Sequence, residues 1–400
     1  MTKLLYIANL RLPTDKAHGI QIMKSCEAFA QFVKVELLVP RLIPLVKKDP
    51  FSYYGVRKDF TIKKIPVFEV LALTRWIWGW LGYVQSFSFS IGVIFYLFFK
   101  NKMYDSNTIL YSRDYMTLFL LALFKTHPVA EIHDYRSKKP KRRINFIFER
   151  CRRIIVNSEG TLQALQNHYP DNLQLKKAQV VSNGVDFDYF NIKETKEVAR
   201  QKLGIDSSKK IIGYLGRLET VGQEKGVSEI IQSFLATNED ALLYIVGGPE
   251  HLIKKYKQEF NNNDKVVFSG QVDYSLVPLY LRSFDAVIVS TPEGQHAQTT
   301  SPMKLFEYLA SGKVIIAPKI PTITKYLNDN NSILFDPNPV RGREGSQRAS
   351  ASNGTEALSE KMKIAIYDTE LVDKLSQQSL HDAKNYSWHN RAKLILDLIK

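Results

Sequence analysis

Residues 299–318 read TTSPMKLFEYLASGKVIIAP, and their order decides the architecture. Ser301 followed by Pro302 is a sound helix start, an N-cap hydroxyl and then proline in the first turn. Leu305, Tyr308 and Leu309 recur at helical spacing, and Ser311-Gly312 stops the helix. Val314–Ala317 follows at once as a β-branched strand. A helix that feeds directly into such a strand is half of a βαβ unit, the repeat of parallel sheets.

The same rhythm runs outward in both directions. In the first half, strands are predicted at 4–8, 35–39, 61–65, 109–112, 130–133, 154–157 and 180–182. In the second they are predicted at 211–215, 241–246, 266–268, 286–289, 314–317 and 333–335. Two such series imply an α/β chain of two doubly wound, Rossmann-like domains, 1–190 and 191–380, with 381–400 as a terminal helix. The join is placed after the Asn183-Gly184 turn, within the polar stretch 191–210. Ligands of such sheets bind outside the carboxyl ends of the strands, which makes the crevice there the expected site.

Composition narrows the class. At 400 residues the chain exceeds what one core usually serves, and 44% hydrophobic with 24% charged residues is an ordinary globular balance. Cys26 and Cys151 stand far apart without metal-ligand spacing, which fits a reducing, cytoplasmic setting rather than a disulfide framework or a zinc site. MTKLLYIANL reads as a first strand, not as a signal peptide. Residues 1–190 carry 28 Lys and Arg against 15 Asp and Glu, and residues 191–400 carry 27 against 25. A basic half beside a neutral half points to an anionic partner. No aromatic-basic RNA motif or DNA-reading module is present to make that partner nucleic acid. Residues 76–99 run uncharged with three tryptophans and five phenylalanines, long enough for a membrane span but diluted by serine and glycine. Residues 341–354, RGREGSQRASASNG, read as a mobile surface loop.

Four stretches carry chemistry. The helix start near Ser301 offers free N–H groups and a positive dipole end, suited to a phosphate. Glu307 follows where a carboxylate can accept both hydroxyls of a ribose, although spacing alone also allows a solvated glutamate. In IIGYLGRLETVGQEKGVSEII (211–231) a strand runs into Gly216-Arg217, and Lys225-Gly226 opens a helix. Arg217 and Lys225 flank a polar loop as two cations, which spacing alone also allows to be solvated surface charges. Residues 9–30 form a strand, a loop ending at His18-Gly19 and a helix, where a glycine lets backbone approach a ligand. AEIHDY puts His133 at a strand's carboxyl end, with ion pairing to Asp134 as the alternative reading. Asp186-Phe187-Asp188 has the Asp-x-Asp spacing of metal-dependent transferases, but no carboxylate-rich set lies near it in sequence.

TSPMKLFEYLASGKVIIA resembles the donor-binding segment of the family-4 retaining glycosyltransferases, whose fold is GT-B, and the resemblance spans nearly the whole chain. It implies transfer of a sugar, with hexosyl transfer the expected type, from a nucleotide-diphosphate sugar to a glycan or lipid-linked acceptor, with no cofactor and no metal. It places Glu307 on the donor ribose and Arg217 and Lys225 on the diphosphate. The backbone of Ser301, Pro302, Met303, Lys304 and Leu305 meets phosphate or sugar, and that around Gly270–Val272 meets the base. The loop at Gly19 faces the donor phosphates, His133 touches the transferred sugar, and the last helix crosses back onto the first domain. The family's first glutamate falls at Thr299, so only half of its glutamate pair is present. A sugar-nucleotide-binding or epimerase-like protein of the same fold is the competing reading. The basic first half and the 76–99 segment together suggest peripheral docking on an anionic membrane, at the inner face of the cell membrane.

Overall fold

The computed structural model describes the chain apart from residues 1, 15, 45, 70–77, 134, 136–138, 206–207, 221–222, 291–302 and 338–349. It forms two compact units, one from the described residues up to Gly184 together with Trp388–Lys400, the other from those between Val185 and Ser387. The division lies six residues before the 190/191 join expected from sequence. Val185 and Phe190 are the reason, since both are buried in the second unit's core. The final crossing falls at Trp388 rather than 381, because the helix Thr369–Ala383 packs on the second sheet.

The first unit is a seven-stranded sheet of order β3-β2-β1-β4-β5-β6-β7, every neighbouring pair parallel. Its strands are β1 Lys3–Ile7, β2 Lys34–Pro40, β3 Thr61–Ile65, β4 Thr108–Ser112, β5 Val129–Ile132, β6 Arg153–Val156 and β7 Gln179–Val180. The second unit's main sheet has the order β12-β11-β8-β13-β14-β15, again parallel. Those strands are β8 Lys210–Leu215, β11 Ala241–Val246, β12 Val266–Gly270, β13 Ala286–Ile288, β14 Val314–Pro318 and β15 Ile333–Phe335. A short hairpin, β9 Glu219–Thr220 with β10 Gln223–Glu224, occupies the polar loop after Arg217. Each predicted strand is present, displaced by two residues at most.

Burial explains the β-branched strands. Along β8, Ile212 and Tyr214 join the cluster on one face while Ile211 and Leu215 join the cluster on the other. A parallel sheet covered by helices on both faces needs apolar side chains at every position. In both units the strand order reverses next to the first strand, between β1 and β4 and between β8 and β13. Those are the switch points outside which open α/β sheets bind ligands.

Two expectations change. The Gly, Ser and Arg-rich stretch lies outside the described residues up to 349, but Ser350–Gly354 already belong to the helix Ser350–Tyr367. The apolar 76–99 stretch is helix from Trp78 to Phe99, and Phe89, Val93 and Leu97 pack it into the core between β3 and β4. By length and composition alone Gly82–Phe99 is long and apolar enough to cross a membrane, and 22% of that stretch is buried inside the unit.

Candidate functional site

The second unit places four of the predicted donor residues, Arg217, Lys225, Lys304 and Glu307, on the loop after β8 and on the helix that packs at its carboxyl end. The helix Met303–Ser311 is pinned there by Tyr308, whose hydroxyl accepts from Leu215 N–H at 3.0 Å and donates to Leu215 C=O at 3.2 Å. This fixes the height of the other side of the helix, on which Lys304 and Glu307 share a face, three residues apart. Lys304 extends back to β8, its Nζ 4.5 Å above the Tyr214 ring and 3.4 Å from the Tyr214 hydroxyl. That hydroxyl donates to Arg217 C=O at 3.0 Å and so holds the loop.

Gly216 has to be glycine. Its φ is +141°, and a Cβ there would stand 1.7 Å from Lys304 Nζ. Any side chain at 216 would expel the lysine from its place. Beyond the hairpin, Lys225 N–H donates to Leu218 C=O at 2.9 Å, which returns Lys225 to the same edge. Burial holds the Lys225 ammonium below its ordinary range, and the neighbouring Lys304 and Arg217 charges add to the effect. Burial brings Lys304 down to about 8. Glu307 is raised by burial to about 7, against the opposing pull of Lys304 and of Tyr274, whose hydroxyl donates to it at 3.3 Å. Lys304 thus faces Glu307 on one helix, with Lys225 near Lys304 and the exposed Arg217 near Lys225, a net positive arrangement that gains from an anionic ligand.

The remaining predicted residues divide. Leu305 is fully buried in the core, so only its backbone is available to a ligand. Met303 is half-buried in the first turn, and Val272 packs at the core's edge just past the positive-φ turn at Gly270. Ser301, Pro302 and Thr299 lie outside the described residues. Asp186 is an N-cap, accepting from Tyr189 N–H at 3.3 Å, and it begins a short helix instead of a metal site. Among the described residues, no three His, Cys, Asp or Glu side chains are grouped to hold a metal ion.

The first unit holds Gly19 and His133. A Cβ on Gly19 would stand 2.3 Å from the Tyr54 hydroxyl, so packing against Tyr54 favours glycine there. His133 Nε2 lies 2.7 Å from Glu131 Oε1. Glu131 is fully buried and also meets the Arg391 guanidinium and the Tyr6 hydroxyl, the latter at 3.0 Å. Despite its burial, the Arg391 and His133 neighbours hold the Glu131 carboxyl well below the usual range. His133 is lowered to about 4, first by burial and then by the Arg113 charge. A neutral imidazole facing a carboxylate must donate through Nε2, which leaves Nδ1 as the acceptor.

Sequence reasoning missed Lys304 as a side chain, Tyr274, and the Glu131–Arg391 pair. The three-residue spacing of Lys304 and Glu307 was the available signal for the first. Tyr274, stacked on Tyr189 at 5.6 Å, had none.

Comparison with known proteins follows the same division. A Bacillus subtilis (strain 168) protein whose name assigns it to teichuronic acid biosynthesis, the glycosyltransferase TuaH, is 24% identical over 154 residues, 38% of this chain. The matched stretch is only 36% of that relative's length. Two solved structures match over the whole fold, each at 15% identity. The glycosyltransferase of Rickettsia africae ESF-5 superposes with a TM-score of 0.72, covering 100% of this chain and 98% of that one. Anabaena HepE, solved in complex with UDP and glucose, superposes at 0.67, covering 99% of each. Both support the GT-B fold. Residues 195–379 match the model of the family described as glycosyl transferases group 1, and the fold around them is that of the GT-B glycosyltransferases.

Proposed function

We propose that the chain transfers a sugar, with retention of configuration and without a metal, from a nucleoside diphosphate-sugar to a glycan or lipid-linked acceptor. The observation that carries this reading is the placement of Lys304 over Tyr214 at the end of β8, on the same helix face as Glu307, with Lys225 and Arg217 on the loop that follows β8. The cations match a diphosphate and the carboxylate matches a ribose. Because HepE was solved with UDP, uridine diphosphate-sugars are the first donors to try.

In this reading the bond from the sugar's anomeric carbon to the β-phosphate oxygen breaks as negative charge grows on the diphosphate. Lys225, Arg217 and Lys304 stabilise that charge. The acceptor oxygen forms its bond on the same face, and its proton passes to the departing phosphate oxygen. His133 accepts from a sugar hydroxyl through Nδ1 and stays neutral throughout. The test is release of free nucleoside diphosphate. Release that requires acceptor identifies a transferase, whereas donor binding without it leaves a sugar-nucleotide-binding protein.

Two outcomes follow from the charges. Activity is expected to survive EDTA, since cations occupy the role a metal would take. Complete loss restored by Mg²⁺ or Mn²⁺ would refute metal independence. The pH profile of kcat/KM for the donor is expected to be a narrow bell. Below about pH 7 Glu307 gains a proton and loses its capacity to accept from ribose. Above about pH 8 Lys304 loses its charge. Bound diphosphate raises the lysine's pKa, so the alkaline limb of kcat should move upward. An acid limb that moves in His133→Asn would assign it to the histidine instead.

A further inference from the structure

The outer face of the Trp78–Phe99 helix is unlike the rest of the surface. Phe95, Phe98 and Phe99 are 58%, 65% and 75% exposed; Phe95 stacks on Phe99 with ring centroids 6.4 Å apart, and Phe98 meets Phe99 edge to face at 5.8 Å. Tyr104 extends the patch, its hydroxyl donating to Phe124 C=O at 3.0 Å, and Leu123 and Phe124 end the adjoining helix Tyr115–Leu123 beside it, both exposed. Contiguous exposed aromatics on this scale mark an interaction surface.

The charges around the patch decide the partner. Lys100 and Lys125 follow the phenylalanines directly, both exposed, and neither has a carboxylate partner among the described residues. The nearby Asp105 is neutralised by Lys102 at 2.7 Å. The next helix along the same face, Arg142–Arg150, adds exposed Arg142 and Arg143 with Lys141 before it. A two-fold dimer through this patch would set its lysines against the same lysines of the other copy. A surface that is negative above and apolar below satisfies both features at once.

We infer that this face docks the first unit on an anionic lipid bilayer, the aromatics entering the interface and the cations meeting the headgroups. The inference does not depend on the transfer reaction. Co-sedimentation of the full chain with vesicles tests it. Vesicles containing anionic lipid should pellet the protein at low salt at least tenfold better than neutral ones. The difference should shrink as salt rises, since exposed charges are screened within about 10 Å at 0.1 M. F95S/F98S/F99S and, separately, K100E/K125E should each abolish most of the binding while melting like the parent chain. Equal recovery with neutral and anionic vesicles overturns the inference. So does a dimer in sedimentation velocity that F95S/F98S/F99S dissociates while vesicle binding is unchanged, because the face then belongs to a second copy.

Discussion

An Arg391→Ala chain is expected to lose about 3–5 kcal/mol of the first unit's stability, the cost of stranding a buried charge. Arg391 donates through Nε to Ser182 C=O at 2.9 Å and through Nη2 to Glu131. Without it, the fully buried Glu131 carboxylate keeps the neutral His133, the Tyr6 hydroxyl and the more distant Arg113 charge. Trp388 is buried in the first unit, so its fluorescence in urea reports the unfolding of that unit. Removing both charges with E131L/R391L should recover part of the loss, since apolar replacements of a buried pair often cost little. Recovery will be incomplete, because Tyr6 and His133 lose their acceptor. A single-variant shift below about 1 kcal/mol would mean that water reaches the pair.

Lys225→Ala and Glu307→Ala are each expected to lower transfer about 10²–10³-fold, roughly 2.7–4 kcal/mol by analogy with loss of one oxyanion donor. Lys304→Ala should behave alike, because its Nζ stands over the same edge of β8. The split between constants separates the roles. Loss of charge stabilisation lowers kcat, whereas loss of a ribose contact raises KM for the donor. Near-normal kcat in a folded Lys225→Ala chain would refute the diphosphate assignment.

Much of the fold was legible because parallel strands buried on both faces appear as β-branched runs, as in Ile211–Leu215 and Val314–Ala317. Local signals also located Glu307, Arg217 and Lys225. Side chains that work through distant partners left no such trace. Glu131 pairs with a residue 260 positions away, and nothing near either one announces it. At Gly19 a distant partner was likewise hidden, since a Cβ there would meet the hydroxyl of Tyr54, 35 residues on. The short hairpin at 219–224 escaped because its two-residue strands carry no hydrophobic alternation.

The pairing of Glu131 with Arg391 also sets an order for biosynthesis. The described residues of the second unit, between Val185 and Ser387, are all synthesised before Trp388, whereas the first unit waits for the chain to come back. At about 5–20 residues per second, the 260 residues between the two charges take roughly 13–52 s to translate. Throughout that interval the nascent amino-terminal sheet holds a carboxylate it cannot bury without cost. A polypeptide halted before Trp388 would therefore carry a finished carboxyl-terminal unit and an amino-terminal one exposed to chaperones and proteases.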